Sequence, residues 1–163
     1  MIKTKRIYLR RFTKDETDLL FQLDGDADVM KYITLGIPRT MDEVIEKSMP
    51  KVLQSYQDKS DFGIFAAYLI NSDEYIGWFQ FEKDKEFEDS IEIGWRLKKQ
   101  YWGNGYATQV AIVLCELGIN MGKTIVARAM IENLASIRVM EKAGLKFEKE
   151  FWGDYDPHSG SPD

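Results

Sequence analysis

A turn with two glycines, Gln100-Tyr101-Trp102-Gly103-Asn104-Gly105, constrains the fold more than any other stretch of the chain. Before it, residues 91–97 alternate apolar and polar side chains, which is typical of a β-strand. After it, residues 106–121 carry apolar side chains at helical spacing. The glycines therefore lie between a strand and a helix. They allow a sharp backbone turn and leave the first amides of the helix free to bind an anion such as phosphate.

The residues of this turn disfavour two common nucleotide-binding motifs. A dinucleotide fingerprint has a third glycine at position 108, where this chain has Thr108. The phosphate loop of nucleotide hydrolases has Gly-Lys followed by Ser or Thr, and the turn lacks that sequence. What remains is the pattern Gln-x-x-Gly-x-Gly after a strand. Taken alone, these six residues also fit an ordinary glycine-rich turn.

Composition indicates one soluble domain over residues 1–163. The chain has 163 residues, 44% of them hydrophobic, which is enough for a substantial core. The net charge of -5 argues against a dedicated nucleic-acid or anionic-membrane binder. We find no signal peptide and no apolar run of 18 or more residues, so we expect a cytoplasmic protein that contacts no membrane.

The scarcity of cysteine and histidine excludes several kinds of site. Cys115 is the single cysteine, so it forms no disulfide within the chain and supports no zinc site built on cysteines. We expect it to be a buried core residue in a reducing compartment. His158 is the single histidine and lies in a polar tail, which disfavours hydrolase chemistry that depends on a histidine base.

The first half of the chain predicts a strand, two helices and a hairpin. Residues 5–11 alternate as a strand, and capping boxes beginning at Thr13 and Thr40 each precede a helix, the second of which Pro50 should break or kink. Asp24, Asp26 and Asp28 follow the first helix without the glutamate that an EF-hand needs, so we expect a solvated loop. Residues 62–70 and 75–81 read as a hairpin.

The second half predicts alternating strands and helices. Residues 90–97 form a third consecutive antiparallel strand that leads into the glycine turn and its helix. Residues 124–130 are typical of a strand, and Asn133 is placed to cap a helix that runs to Gly144. Residues 145–152 alternate again, which predicts a last strand before a short polar tail.

Three motifs in this half resemble the GNAT superfamily of N-acetyltransferases, in particular its ribosomal-protein N-terminal acetyltransferase branch of RimJ/RimL type. They are Glu92-Ile93-Gly94-Trp95, Tyr101-Trp102-Gly103-Asn104-Gly105-Tyr106-Ala107-Thr108 and Asn133-Leu134-Ala135-Ser136-Ile137-Arg138-Val139-Met140-Glu141-Lys142-Ala143-Gly144-Leu145. The resemblance implies an α/β (α+β) GNAT fold. Its central sheet would be mixed and mostly antiparallel, with about six to seven strands and about four flanking helices. Acetyl-CoA would lie in a cleft between two splayed central parallel strands.

The resemblance also assigns residues to the cofactor. The backbone at Trp95 and Leu97 would meet the pantetheine arm and the thioester carbonyl. Asn133 and Ser136 would meet the pantetheine arm near its sulfur. The pyrophosphate would lie on the turn and the start of the next helix, at Gln100, Gly103, Asn104, Gly105, Tyr106, Ala107 and Thr108. The resemblance implies no metal.

The implied reaction is direct attack of a primary amine on the thioester, through a tetrahedral intermediate. Glu92 is the candidate base that removes a proton from the ammonium, directly or through water, although an exposed strand glutamate is an equal interpretation. Ser136 is a candidate to assist at the sulfur, or else a first-turn serine that bonds the backbone. Many relatives have a tyrosine where this chain has Met140, so the group that protonates the leaving thiolate stays open among Ser136, Tyr155 and water.

The identity of the acceptor is the property that the sequence predicts least well. The implied acceptors are primary amines, namely a protein N-terminus, a polyamine, an amino acid or an antibiotic, and the region that selects among them spans residues 15–60. Acidic residues there would attract a cationic amine or would be surface and helix caps: Asp24, Asp26, Asp28, Asp42 and Glu43. Trp78, Phe79, Phe81 and Trp95 should be mostly core, with some lining the acceptor pocket.

Alternative functions stay open at this stage. The absence of the usual tyrosine also fits a catalytically weak module that binds or senses acyl-CoA. A domain with a purely structural or interaction role is a third hypothesis. The chain stops soon after residue 152, where relatives usually add a strand, so the outer sheet edge would be short, incomplete or supplied by another subunit. Both a monomer and a homodimer are compatible with the sequence.

Overall fold

The computed structural model describes residues 1–57 and 61–153, in which six strands form one sheet in sequence order. The strands are β1 (Ile2–Lys3), β2 (Ile7–Arg11), β3 (Gly63–Leu69), β4 (Tyr75–Lys83), β5 (Ser90–Leu97) and β6 (Thr124–Val126). The helices are α1 (Thr17–Asp24), α2 (Met41–Glu43), α3 (Met49–Gln54), α4 (Tyr106–Asn120) and α5 (Leu134–Lys142). Neighbouring strands are antiparallel except β5 and β6, which are parallel. The predicted mixed, mostly antiparallel sheet with flanking helices is confirmed.

Side chains on the two faces of the sheet pack into two separate cores because strand residues alternate in direction. On one face, Ile91 and Ile93 of β5 pack with Val110 and Leu114 of α4, and α5 covers the same side. Cys115 is buried here, as expected, and burial raises the pKa of its thiol. On the other face, α1 to α3 cover a core that includes Leu20, Leu23, Val44, Val52 and Ile64. The intervening residues of β4 and β5 therefore point toward α1 to α3.

The second helical region accommodates Pro50 without a break. The backbone winds as a π-helix over Val44–Ser48, between α2 and α3, and the Met49 amide bonds the Val44 carbonyl. Proline has no backbone N–H to donate. The wider turn just before Pro50 lets the helix continue without the hydrogen bond that an N–H there would make. The capping box at Thr40 is complete, with Thr40 and Glu43 each bonding the other's amide. At Thr13 it is half formed, since Glu16 accepts from the Thr13 amide at 2.9 Å and α1 begins only at Thr17.

The parallel pair is shorter than the sequence predicts. β5 and β6 pair only from Ser90 with Thr124 to Glu92 with Val126, and the strand predicted over 124–130 ends at Val126. β6 is the edge strand of the described sheet, so the expectation of two central parallel strands is wrong for β6. The last predicted strand, 145–152, is also wrong in the described residues, where 145–153 has neither helix nor strand. Alternation alone does not make a strand, because the backbone groups must also pair with a neighbouring strand, and residues 145–153 make no such pairing within the described sheet; Phe147 and Trp152 are exposed.

In the described part of the chain, no helix is both long enough and apolar enough to cross a bilayer. The predicted tail with His158, and Tyr155 within it, lie outside the described residues.

Gly77 is a position where only glycine fits the sheet. Its φ is +145°, and a Cβ there would lie 2.1 Å from the carbonyl oxygen of Arg96 on β5. We expect Gly77→Ala to lower the free energy of unfolding by at least about 3 kcal/mol, because strain and a backbone clash act together. Urea denaturation measures the change.

Gly103→Ala is the matched control for backbone strain alone. Gly103 also has a positive φ, +74°, but a Cβ there would meet no atom within 4 Å. The loss should be about 1–2 kcal/mol. Equal losses in the two variants would contradict the clash at Gly77.

Candidate functional site

The glycine turn has the geometry that its sequence predicts. Gly103 and Gly105 have φ of +74° and +76°, and both are exposed. Gly105 is the N-cap of α4, and among residues 1–57 and 61–153 no side chain caps the helix start. The first amides of α4 therefore have no side-chain partner, and the helix dipole adds partial positive charge where they point. This end of α4 fits a phosphate group.

The Trp102 side chain ties the turn to the end of β5, and the Asn104 side chain bonds within the turn. The Trp102 indole donates to the Leu97 carbonyl at 2.9 Å, and the Asn104 amide donates to the carbonyls of Tyr101 and Trp102 at 3.1 and 3.0 Å. The Asn104 side chain thus shapes the turn. Gln100 lies in a short 3₁₀ turn, Lys99–Tyr101, after β5 and is exposed. Of the predicted cofactor residues that begin α4, Tyr106, Ala107 and Thr108 are half-buried.

Arg6 lies beside the turn, although the sequence does not place it there. Its guanidinium lies 4.5 Å from the centre of the Tyr106 ring, and its Nη2 is 3.5 Å from the position of a Cβ on Gly105. The Arg6 amide and the Thr4 hydroxyl both donate to Gln109 of α4, at 3.2 and 2.8 Å. These bonds fix the β1–β2 turn against α4. A distance of about a hundred residues in sequence hides such a contact from motif analysis.

Beyond Glu92, the strands β5 and β6 no longer pair. Residues 93–97 of β5 continue along β4, and in the described sheet no strand pairs with their other edge. Trp95 and Leu97, the predicted contacts of the thioester arm, lie in this stretch, with Trp95 half-buried against the core under α4. The Leu97 carbonyl is already bonded by Trp102. The open edge leads directly to the glycine turn.

The start of α5 is capped as predicted. The Asn133 side-chain oxygen accepts a hydrogen bond from the Ser136 amide at 3.2 Å, so this oxygen caps the start of the helix. Ser136 is half-buried in the first turn of α5, and Met140 is half-buried one turn later. α5 packs against α4 through residues such as Val139 and Ala143.

Glu92 lies where the pairing of β5 and β6 ends. It accepts a hydrogen bond from Gln80 of β4 at 3.3 Å and forms an ion pair with Arg128 at 3.3 Å. Arg128 follows β6 and also pairs with Asp84 at 2.6 Å, and these contacts raise the pKa of its guanidinium. Its side chain therefore bridges the gap between β6 and the β4–β5 hairpin. The Glu92 side chain is 27% exposed, so solvent reaches it.

Glu82 is a second carboxylate at the same place, and the sequence analysis missed it. Glu82 of β4 lies directly opposite Glu92 of β5, on the face toward α1 to α3. Burial raises the pKa of Glu82, Glu92 adds to the increase, and Lys51 opposes it. The hairpin prediction could have identified this pair had the register been known, since cross-strand neighbours follow from register alone.

Asp24 corrects the prediction of a solvated acidic loop. It is 1% exposed and accepts from Arg96 of β5 and from the Ser48 hydroxyl, both at 2.6 Å. Arg39 donates to Ser48 at 2.8 Å and lies 3.6 Å from Asp24. The other acidic residues are surface groups or caps: Asp26 accepts from the Asp28 amide, Asp28 pairs with Lys99, and Glu43 completes the capping box.

The aromatic residues of β4 and β5 are mostly core, as predicted. Phe79 and Phe81 are fully buried, and Trp95 is half-buried against the same core. Trp78 points to the other face, where its ring lies 5.0 Å from the Arg96 guanidinium and borders a cavity.

Comparison with known proteins identifies the family of this chain. A family model described as an acetyltransferase (GNAT) domain matches residues 6–146. The uncharacterised N-acetyltransferase YnaD of Bacillus subtilis (strain 168) is 29% identical over 167 residues, and the match covers 94% of this chain and 93% of YnaD.

Solved structures agree with that match. The GNAT-family acetyltransferase from Bacillus anthracis is 30% identical with a TM-score of 0.78, and the match covers 98% of this chain and 90% of that one. An aminoglycoside acetyltransferase solved with coenzyme A is 25% identical with a TM-score of 0.66, covering 85% of this chain and 83% of that one. The chain therefore belongs to the acetyltransferase (GNAT) family and is an acetyl-CoA-dependent N-acetyltransferase.

Proposed function

We propose that this protein transfers the acetyl group of acetyl-CoA to a primary amine at the point where β5 and β6 diverge. One observation carries the proposal: in the described residues, Glu92, the open edge of β5 and the start of α4, which no side chain caps, follow one another along the chain. A protein N-terminus is the acceptor that the RimJ/RimL-type motifs favour. The aminoglycoside acetyltransferase among the solved structures supports small-molecule amines as the other class.

The described residues fit acetyl-CoA. The left-handed glycines and the free amides of α4 suit its pyrophosphate, and Arg6 adds a cation beside them. The unpaired edge of residues 93–97 offers backbone groups to the pantetheine arm and to the oxygen that gains negative charge. When bound, acetyl-CoA supplies the activated acetyl group as a thioester. The protein supplies orientation and charge.

The acceptor ammonium must lose a proton before its nitrogen can attack. Glu92 is the proposed base, acting directly or through water, because it borders the gap and remains open to solvent. Glu82 is an alternative, since its raised pKa brings it nearer to the range of an effective base. At the other end of the reaction, Ser136 is proposed to assist the leaving sulfur, and Met140 cannot donate a proton.

A second function, sensing of acyl-CoA with little turnover, has one observation in its favour. Glu92 is engaged by Gln80 and Arg128, and the position of the usual acid is Met140. Such a module would keep the cofactor site and release little thiol.

Glu92→Gln separates the two functions. Isothermal titration should give the same dissociation constant for acetyl-CoA as the wild-type protein, because Glu92 lies outside the phosphate turn. Thiol release with an amine acceptor should fall by at least about 100-fold, the usual contribution of a general base.

Glu88→Gln is the matched control, as Glu88 is an exposed carboxylate on the hairpin that leads to β5. It should leave the rate unchanged. Unchanged thiol release in Glu92→Gln would remove Glu92 from the mechanism, and no thiol release from the wild-type protein with any amine would favour sensing.

Arg6→Gln tests the cofactor site at a residue that lies outside the glycine-turn motif. Loss of a charge-assisted contact should raise the dissociation constant for acetyl-CoA about tenfold. It should also reduce the salt dependence of binding. Lys3→Gln, an exposed cation on β1, is the control and should bind like the wild-type protein. Equal affinity for Arg6→Gln and the wild-type protein would show that Arg6 does not contact the phosphates.

The raised pKa of Glu82 predicts how stability depends on pH. A carboxyl group whose pKa is higher when folded stabilises the protein at low pH, and that stabilisation is lost as pH rises above about 4.5 through the folded pKa. Glu82→Gln, which stays neutral, should therefore raise the melting temperature relative to the wild-type protein at pH 7. The difference should vanish near pH 4. A variant that is less stable at pH 7 would contradict the direction of the shift.

A further inference from the structure

Gly94 lies in the same motif as Glu92, and its backbone does not explain why it is a glycine. It is in the interior of β5, and its φ lies outside the left-handed region, so a residue with a side chain fits this backbone. A glycine in a strand interior weakens the strand, because it has no side chain to pack. Such a glycine often marks a place where another group approaches closely. The neighbours of Gly94 show which group that is.

The side chain of Gln80 occupies the space beside Gly94. Gln80 of β4 is directly opposite Gly94 of β5, and a Cβ on Gly94 would lie 3.1 Å from the Gln80 Oε1. The Gln80 Nε2 donates to the Oε2 of Glu92 at 3.3 Å. Glu92 is two residues from Gly94 and therefore on the same face of β5. The missing side chain at position 94 thus lets Gln80 cross to Glu92, its diagonal neighbour.

Arg128 engages the other oxygen of the Glu92 carboxylate, since its Nη1 lies 3.3 Å from Oε1. The guanidinium is fixed by Asp84, through Nη1 at 2.6 Å and Nη2 at 3.3 Å, and by Glu86 at 3.1 Å. The Asp84 side chain is fully buried and accepts from the amides of Glu86 and Phe87 at 2.9 and 2.7 Å. The Glu92 carboxylate is therefore held by one anchored group on each oxygen.

Glu92 needs this restraint because a second carboxylate, Glu82, is directly opposite on β4. Burial raises the pKa of Glu82, Lys51 opposes that increase, and the charge of Glu92 adds to it, so the two carboxylates interact. Like charges in directly opposed positions repel each other. The bonds from Gln80 and Arg128 fix the direction of the Glu92 carboxylate. Each of its oxygens accepts more than one hydrogen bond, which leaves positions for an amine or a water molecule.

We propose that Gln80 is a positioning residue for acetyl transfer, which orients the Glu92 carboxylate as the base, and that position 94 is glycine because the Gln80 side chain crosses it. Arg128 holds the second oxygen. Gln80 acts on the rate only through Glu92. The proposal rests on the acetyl transfer proposed above, with Glu92 as the base.

Gln80→Leu removes the hydrogen bond and nearly keeps the volume of the side chain. Thiol release is measured with an alanine-terminated peptide, lysine, spermidine and kanamycin, and the variant is studied with the amine that the wild-type protein acetylates fastest. Both kcat and kcat/KM should fall by about tenfold, because a bond to a charged group that acts in the transition state is lost. Titration should give the wild-type dissociation constant for acetyl-CoA.

Combination with Glu92→Gln distinguishes positioning from a structural role. In a protein that already carries Glu92→Gln, the further change Gln80→Leu should lower kcat by less than about twofold, because the carboxylate that Gln80 orients is gone. A structural effect would lower the rate by the same factor in both backgrounds. Thermal unfolding of each variant checks that the fold is intact.

Gly94→Ala tests the same contact from the other strand. The new methyl group would displace the Gln80 amide and leave every polar group in place, so kcat should fall by about threefold, less than in Gln80→Leu. In a protein with Gln80→Ala, the atom that the methyl group would meet at 3.1 Å is absent. Gly94→Ala should then have no further effect on kcat.

The outcomes separate this inference from the proposed function. Unchanged kcat in Gln80→Leu, or an equal loss with and without Glu92→Gln, overturns the inference and leaves acetyl transfer standing. A loss in Gly94→Ala that persists without the Gln80 side chain overturns the explanation of the glycine. Absence of thiol release from the wild-type protein with all four amines contradicts both proposals.

Discussion

The early end of the pairing between β5 and β6 is the constraint on which the site depends. Their ladder stops at Glu92 and Val126, while β5 continues to Leu97 along β4. α4 lies so close to β6 that a Cβ on Gly118 would be 2.2 Å from Ile125, which holds the edge strand against the helix. Past Val126 the chain leaves the sheet, and Arg128 crosses the gap to Glu92 and Asp84. Because the two strands diverge, backbone N–H and C=O groups are exposed that would be hydrogen-bonded in a continuous sheet.

A buried ion-pair network fixes α1 and the π-helical stretch against β5. Asp24 ends α1, Ser48 belongs to the π-helical stretch, and Arg96 belongs to β5, so three separate elements meet at one carboxylate. Charges removed from water are expensive unless each is paired and hydrogen-bonded, and removing one partner of such a set is usually severely destabilising. The network therefore ties the helices on this face of the sheet to the strand that carries Glu92.

Local features of the site were predictable from the sequence, whereas contacts between distant segments were not. Gly105 and Asn133 act within a few residues of themselves, through a left-handed turn and an N-cap, so motif spacing sufficed. Asp24 looked like a loop residue because its arginine partner lies 72 positions away. The location of Glu82 follows only from the register of the hairpin, which cannot be read from the sequence. The strand predicted over residues 145–152 is absent from the described structure for a related reason, since alternation shows which face would be apolar but not whether the segment pairs with a neighbouring strand.

Amide hydrogen exchange with and without acetyl-CoA tests most directly whether the glycine turn and the open edge of β5 form the cofactor site. The account predicts slower exchange over residues 103–108 and 93–97 when acetyl-CoA is present. It predicts little change in the strands β2 and β3, which lie away from the gap. Binding that leaves the exchange of residues 103–108 unchanged, with protection confined to α1 to α3, would contradict it.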